Sequence, residues 1–391
     1  MNNDARLDEF FMSEAIELAK RGVGLTSPNP YVGAVIVKNN RIIGRGFHKR
    51  CGLPHAEINA IKNATCSIKG TTMYVTLEPC IHYGRTPPCA EAIVKGGIKR
   101  VVIGEVDPNP AVNGRGINYL RRHGVIVDIY SNRDEIRSLN CGFRKWIRNK
   151  IPYIILKVAS SLDGRIADRR GCAKYITSEK SREFVHFIRY ISDAILVGAG
   201  TVKKDDPILD FRFFGTLKKK NVTRVILDGN LSLHPKYRVF REDGAKRIIL
   251  TSHAAIQNKK HLVKALINKG VEIIPFKTKK GRISIKDILE YLGSINILYL
   301  LVEGGRDVFT DFIDSKEVDL YIQFLAPKLL GEGGYGFYGR DRDINKCMTE
   351  LVLKNILSFN NDAVLFYARK DTDVYRIDRI YRQNLEPEKK G

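Results

Sequence analysis

Short apolar runs alternate with stretches of helical periodicity along nearly all of the 391 residues, and that rhythm constrains the fold more than any other property of the chain. Strands covered by helices on both faces read as continuous apolar runs, so the pattern predicts layered α/β structure. Apolar positions at Leu7, Phe10, Phe11, Ala15, Ile16, Leu18 and Ala19 give a first helix, ended by Gly22, Gly24 and the SPNP segment at 27–30. YVGAVIV then reads as a strand, Asn39–Asn40 as a turn and RIIGRG as the antiparallel return. HAEINAIKNA suits a short helix beginning near His55, TTMYVTL a strand, PPCAEAIVKGG a helix and KRVVIG a strand. FRKWIRNK and Pro152 mark a boundary, giving one domain over 1–147 and another over 148–391. Beyond it, YIILKVA, AILVGAG, TRVILD, RIILTS, VEIIPF and NILYLLVEGG are strand-like, with SREFVHFIRY and KHLVKALINKG as helices between them. VDLYIQFLAPKLLG and AVLFYARK complete a second sheet, mainly parallel with extra strands.

With 43% hydrophobic and 28% charged residues, the chain is neither disordered nor fibrous. No uninterrupted apolar run reaches the roughly 18 residues of a membrane span, and MNNDARLDEF carries acids where a leader carries bases. A cytoplasmic protein without membrane contact is the expectation. The 7 cysteines are odd in number and widely spread, which argues against a disulfide scaffold. The 66 Lys and Arg against 43 Asp and Glu give a net charge of +23. Such a charge attracts anions without distinguishing RNA from phosphorylated metabolites.

The residues that carry chemistry stand out by spacing. His55-Ala56-Glu57 is followed by Pro79-Cys80 and Pro88-Cys89, close to the H-x-E and P-C-x-x-C signature of zinc deaminases but with a longer gap between the cysteines. One imidazole and two thiolates hold zinc (Zn2+) at three positions and leave a fourth for water. Glu57, near the metal and not a ligand, is then the residue that moves protons between water, ring nitrogen and leaving amine. Cys89 near a helix start gains thiolate character from the local dipole. A structural zinc or a set of unrelated residues are the competing readings; four protein donors around the metal would favour the first of these. Cys51, Cys66, Cys141, Cys172 and Cys347 lack such company and read as ordinary thiols.

SPNPYVGAVIV, GRGFHKRCGLPHAE, TLEPCIHYGRTPPC and DPNPAVNGRG closely resemble the deaminase half of the bifunctional riboflavin biosynthesis deaminase-reductases, and the likeness extends through essentially the whole chain. The long cysteine spacing is also that family's. The resemblance implies a cytidine-deaminase-like α/β/α domain followed by a dihydrofolate-reductase-like α/β domain. It further implies deamination of 2,5-diamino-6-(5-phosphoribosylamino)pyrimidin-4(3H)-one, with Asn29 and His48 orienting the pyrimidine and His82 and Arg85 shaping its recognition loop. A nucleic-acid deaminase is the natural competitor, since it uses the same chemistry. No aromatic-basic recognition module is evident, so phosphorylated pyrimidine ribosides are expected and nucleic acid is not.

KVASSLDGRIAD at 157–168, the segment from KYITSEKS to VKKDDPIL, and LVEGG resemble the reductase half of the same family. There NADPH would deliver hydride to ribose C1, turning a ribosylamine into a ribitylamine. The resemblance makes Ala159, Tyr175, Thr177, Thr201, Asp205, Ser232 and Gly305 the residues beside the cofactor. Gly198-x-Gly200-Thr201 after an apolar strand allows close backbone approach to a phosphate, without being a full dinucleotide fingerprint. Toward the substrate it implies Ala173, Arg189, Leu209, Arg212 and Glu303, the arginines suited to phosphate by their paired donors. Two positions depart from the family: Ala173 replaces a common Ser and Tyr175 a common Trp. GEGGYGFYG at 331–339 is rich enough in glycine for a mobile loop. The family leaves room for a homodimer or a higher homo-oligomer.

Overall fold

The computed structural model of the chain describes residues 3–81, 88–171, 176–212, 220–340, 349–370 and 372–385. The chain divides into two compact units, Met1–Asn149 and Lys150–Gly391.

In the first unit α1 (Asn3–Lys20) leads into β1 (Gly33–Lys38), β2 (Arg41–Phe47), α2 (Ala56–Lys62), β3 (Thr72–Val75), α3 (Cys89–Lys95) and β4 (Arg100–Ile103). Then come α4 (Arg115–Arg122), β5 (Ile126–Ile129), α5 (Asp134–Leu139) and α6 (Cys141–Asn149). The sheet order is β2-β1-β3-β4-β5, with β1 antiparallel to both neighbours and β3, β4 and β5 parallel. Successive side chains of a strand point to opposite faces, and in β1 both faces are covered. Ala34 and Ile36 join Ala56, Ala60 and Ile93 in one core, whereas Val35 and Val37 join Phe11, Met12 and Ile16 of α1 in the other. This explains why GAVIVK is apolar without alternation. Gly46 sets the height of α2 above the sheet, because a Cβ there would lie 2.3 Å from both the Ala56 carbonyl oxygen and the Ala60 nitrogen. β5 is an edge strand, IVDI, with an exposed isoleucine and an acid, so apolar patterning does not announce it.

The second unit opens with β6 (Tyr153–Ser161), β7 (Arg165–Ala167), α7 (Glu179–Ile191), β8 (Ala194–Gly198), α8 (Ala199–Asp205), β9 (Thr223–Leu227) and β10 (Arg247–Ser252). It continues through α9 (His253–Asn258), α10 (Lys260–Asn268), β11 (Glu272–Phe276), β12 (Thr278–Lys279), β13 (Arg282–Ile283), α11 (Ile285–Ser294) and β14 (Tyr299–Gly304). The last elements are α12 (Arg306–Ser315), β15 (Leu320–Ala326), β16 (Tyr335–Gly336), β17 (Val352–Phe359), β18 (Asp362–Ala368) and a final helix α13 (Ile377–Leu385). The large sheet runs β11-β10-β9-β8-β14-β6-β15-β18-β17. Strands β11 to β15 in that order are parallel, and the hairpin β17–β18 closes one edge antiparallel.

Helices again cover both faces. Ile154, Leu156 and Val158 of β6 share a core with Leu289 and Leu292 of α11 and Phe312 of α12. An aromatic layer packs elsewhere on the sheet: Phe184 of α7 meets Tyr381 of α13 at 4.5 Å between ring centroids and Phe324 of β15 at 6.0 Å. Part of the glycine-rich 331–339 segment is ordered as β16, which pairs with β7. Parallel strands of this kind open a crevice beyond their carboxyl ends, and the ends of β8, β9 and β14 do so here. Among the described residues no helix is long and apolar enough to cross a membrane.

Candidate functional site

In the first unit the sheet brings distant segments to one point. His55 occupies the N-cap position of α2, yet its imidazole makes no capping hydrogen bond and is free to face inward. Glu57 lies in the first turn of the same helix and is buried. Cys80 follows β3, and Cys89 opens α3 with its side chain fully buried. His55 Nδ1 lies 3.6 Å from Cys80 Sγ and 3.3 Å from Cys89 Sγ, and the three donor atoms sit within 4.8 Å of one another. Donors at zinc bond lengths in a tetrahedral arrangement stand roughly 3.6–3.8 Å apart, so this set fits the ion.

Electrostatics agrees with that fit. Two thiols and a carboxyl crowded out of water cannot all ionise without a cation. Cys80 is held low, at about 4, chiefly by its hydrogen bond with Cys89, with His55 assisting against the cost of burial. Cys89 is pushed well above the ordinary thiol range by the same contact and by burial. Burial, and then the charge on Cys80, lifts Glu57 to about 7.

Asn29 and His48 arrive beside this cluster. Asn29 Nδ2 donates to His48 Nε2 at 3.0 Å, His48 Nδ1–H donates to the Pro54 carbonyl at 3.2 Å, and the His48 ring meets the His55 ring edge-on at 5.3 Å. Burial lowers the His48 pKa, which favours the neutral tautomer this pair of bonds requires. His82 and Arg85 lie outside the described residues. Glu78 is a residue that sequence reasoning missed. Its buried carboxylate accepts backbone N–H groups from Asp107, Gly114, Gly116 and Ile117 at 2.9–3.2 Å. It thereby ties DPNPAVNGRG to the strand end that leads to Cys80. The available signal was an acid wedged between an apolar strand and Pro79.

The second unit holds a cavity of about 740 Å³ at the ends of β8, β9 and β14. Thr201, Asp205, Ser232 and Gly305 all line it, together with Gly198 and Gly200. Gly304 adopts φ +117°, a conformation open to glycine alone, where β14 turns toward α12. Ser232 is fastened by Asp228, whose carboxylate accepts its N–H at 2.6 Å and its hydroxyl at 3.0 Å. Ala159 and Thr177 are not among the lining residues; Ala159 pairs with Phe324 within the sheet, and the Thr177 carbonyl accepts from Arg182. Ala173 and Tyr175 lie outside the described residues. Arg306, in the turn after Gly305, and Tyr335, in the glycine-rich 331–339 segment, also line the cavity, as do Asn230 and Arg282, which sequence reasoning did not single out. Asn230 lies in a strand-end turn and Arg282 in a short hairpin, neither of which has a distinctive composition.

Arg189 and Glu303, both expected to meet substrate, meet each other. Arg189 Nε and Nη2 bond the two Glu303 carboxylate oxygens at 2.6 and 2.8 Å, and Nη1 donates to the Asp210 carbonyl at 3.0 Å. Lys157, unassigned by sequence, stands 3.4 Å from the same carboxylate. Burial alone would push the Glu303 carboxyl up; Arg189 and Lys157 outweigh it and hold it at about 2. Arg212 is mostly exposed, 3.0 Å from Asp210 through Nε, and Leu209 is buried with φ +53°.

Comparison with known proteins accounts for both halves. Residues 5–105 match the cytidine and deoxycytidylate deaminase zinc-binding region, and residues 152–365 match the RibD C-terminal domain. The chain is 41% identical over 364 residues to riboflavin biosynthesis protein RibD of Aquifex aeolicus (strain VF5), covering 93% of this chain and 99% of that one. It is 42% identical over 381 residues to RibD of Bacillus amyloliquefaciens, covering 95% and 100%. A solved diaminohydroxyphosphoribosylaminopyrimidine deaminase/5-amino-6-(5-phosphoribosylamino)uracil reductase from Thermotoga maritima is similar at 40% identity and a TM-score of 0.83, covering 94% and 100%. Acinetobacter baumannii RibD is similar at 35% identity and the same TM-score, covering 94% and 99%. Fold and sites together define a two-domain protein in which a deaminase-like α/β domain precedes a dihydrofolate-reductase-like α/β domain, as the sequence led us to expect. The chain belongs to the RibD family of riboflavin biosynthesis proteins.

Proposed function

We propose that this chain catalyses two consecutive steps of riboflavin biosynthesis. The first unit deaminates 2,5-diamino-6-(5-phosphoribosylamino)pyrimidin-4(3H)-one in a zinc-dependent hydrolysis. The second reduces the ribosyl group with NADPH to give 5-amino-6-(5-phosphoribitylamino)uracil. The observation that carries the reading is the buried Glu57 beside the His55, Cys80 and Cys89 donor set, in a chain of this family.

His55, Cys80 and Cys89 would hold zinc, which would supply the Lewis acid that makes water a nucleophile near neutral pH. Glu57 accepts a proton from the attacking water and gives it to the ring nitrogen, then takes the second proton from the hydroxyl on the attacked carbon and gives it to the departing amine. A C–NH2 group and water thus become C=O and ammonia. Asn29, fixed through Nδ2 by His48, offers Oδ1 to a ring amine; the family resemblance implies a role for His82 and Arg85 in recognition of the same ring.

Thr201, Asp205, Ser232 and Gly305, which line the cavity, would hold NADPH, with Ala159, Tyr175 and Thr177 as the further cofactor residues that the family resemblance implies, and the cofactor would supply the hydride for ribose C1. At ribose C1 the bond to the ring oxygen would break as hydride is gained, and solvent would supply the proton for that oxygen. Glu303 accepts sugar hydroxyls, with Arg189 and Lys157 keeping it ionised. Arg212 meets the phosphate and Leu209 flanks the substrate, a position that the family resemblance also implies for Ala173. Phosphorylated substrate and NADPH do not cross membranes unaided, so a cytoplasmic location accompanies this reading.

The test is incubation of the zinc-loaded protein with the diaminopyrimidine ribosyl phosphate, with and without NADPH, resolving products by mass. Deamination in both samples, and a gain of two hydrogens only with NADPH, is the expected result. No product in either sample would overturn the assignment.

A further inference from the structure

His186 sits one helical turn before Arg189 on α7. The chain running past that face of the helix is bound to it twice: Arg189 Nη1 donates to the Asp210 carbonyl at 3.0 Å, and the Arg212 backbone N–H donates to His186 Nδ1 at 3.1 Å. A backbone N–H can only donate, so Nδ1 carries no proton and the ring hydrogen must be on Nε2. Among the described residues Nε2 meets no hydrogen-bond partner, and the ring is only partly buried. The surroundings keep the ring neutral. Burial, followed by the charges of Arg189 and Arg212, lowers its pKa to about 4, against the opposing charges of Glu303 and Asp210.

The three cationic or donor groups here differ in availability. Arg189 is committed by all three guanidinium nitrogens to Glu303 and the Asp210 carbonyl. Arg212 is 61% exposed and touches Asp210 through Nε, and among the described residues its two terminal nitrogens make no hydrogen bond. An uncharged imidazole N–H and the exposed guanidinium of the residue whose backbone binds the same ring are donors of the kind suited to the oxygens of one phosphate monoester. We infer that His186 is a further substrate-binding residue of the second unit, its Nε2–H sharing the sugar 5-phosphate with Arg212. Arg189 then serves to hold Glu303 and to anchor the chain at Asp210, and does not itself grip the phosphate.

This inference rests on the proposed reductase reading, and ribose 5-phosphate is a probe that separates the two. Calorimetric titration of the full, zinc-loaded chain should give tight binding for the unaltered protein and a dissociation constant raised about 10- to 100-fold in His186→Ala, the loss expected for one hydrogen bond to a charged group. His186→Gln can accept from the Arg212 N–H through its oxygen and donate outward through its amide, so it should restore most of the affinity. Unphosphorylated ribose should show no difference among the three proteins. In the unaltered protein, nitrogen-15 imidazole spectra should report the Nε2–H tautomer, with that proton moving downfield when ribose 5-phosphate is added.

Equal affinity in all three proteins, failure of Gln to rescue, or an unmoved Nε2 proton with the sugar phosphate bound would each overturn the role of His186 while leaving the reductase reading in place. Failure of the unaltered protein both to bind ribose 5-phosphate and to reduce its substrate would remove the reading, and the inference with it.

Discussion

The two units solve the same problem, a polar site inside an α/β layer, by opposite means. In the first, His55, Cys80 and Cys89 bring three metal-donor atoms together beside the buried Glu57, a group whose full ionisation calls for a cation. In the second, Glu303 is already neutralised by Arg189 and Lys157, and the neighbouring cavity is lined by glycines and short polar side chains. The difference teaches that the charge balance of the first site depends on a cation from outside the chain, whereas that of the second depends only on its own side chains.

Separating the two dependences gives the largest expected effect. Glu57→Gln keeps the shape of the residue and removes its ability to move a proton, so deamination should fall about 10²- to 10⁴-fold. Reduction of separately supplied deaminated substrate should not change. Stripping the metal with a chelator, or Cys80→Ser with metal content read by elemental analysis, should abolish the first activity and spare the second. Parallel loss of both activities would break the comparison.

The completed charge system of the second unit predicts a stability effect with a defined pH window. Glu303 is held at about 2 against an ordinary value of 4.5. A depressed carboxyl stabilises the folded state fully above its unfolded value and loses that contribution as the pH falls through its folded value. The window therefore runs from 4.5 down to about 2, and the contribution is roughly 3 kcal/mol. Hydrogen exchange of peptides from α7 and β14 should show it. Glu303→Gln should remove most of this dependence and leave two buried cations unmatched, at a cost of about 3–5 kcal/mol near neutral pH. An unchanged exchange profile in that variant would mean that the ion pair is idle.

The same contrast explains what could be read in advance. A metal centre demands particular residue types, so His55, Cys80 and Cys89 announce themselves even though Cys80 and Cys89 are separated by a loop. Strand β1 and helix α2 were equally legible, since apolar runs and helical spacing survive in sequence. A cavity lined by glycines and short polar side chains asks mainly for close backbone approach. Gly198, Gly200 and Gly305 were therefore visible as glycines, whereas Asn230 and Arg282 owe their place to sheet order and had no local mark. The Arg189–Glu303 pair joins α7 to β14, and no spacing rule connects residues brought together only by a parallel sheet. His186 lies within an amphipathic helix, where a histidine beside apolar residues carries no signal until its partner at Arg212 is known.

A smaller effect tests whether backbone approach matters as much in the first unit. In Gly46→Ala the new Cβ would meet backbone atoms of Ala56 and Ala60 at 2.3 Å, which only a shift of α2 relieves. A loss of about 1–3 kcal/mol is expected, read by the fluorescence of Trp146 in α6, the chain's 1 tryptophan. Because α2 carries Glu57, deamination should fall with it. Full activity in a destabilised variant would show that the site tolerates displacement of its helix.

The smallest effect concerns the start of α7. Ser178 caps this helix, its hydroxyl accepting the Ser181 N–H at 3.3 Å. Removing such a cap costs about 1 kcal/mol. Here the helix start has a second support, because Asp362 of β18 accepts the Ser178 N–H and the Ser181 hydroxyl, each at 2.6 Å. Ser178→Ala should therefore lower amide protection in the first turn of α7 about fivefold or less, the change that corresponds to a cap of that size. Protection near Arg189, which is pinned by Glu303, should stay unchanged. If the effect reached Arg189, α7 would be unfolding as one piece, and the ion pair would be following the helix instead of anchoring it.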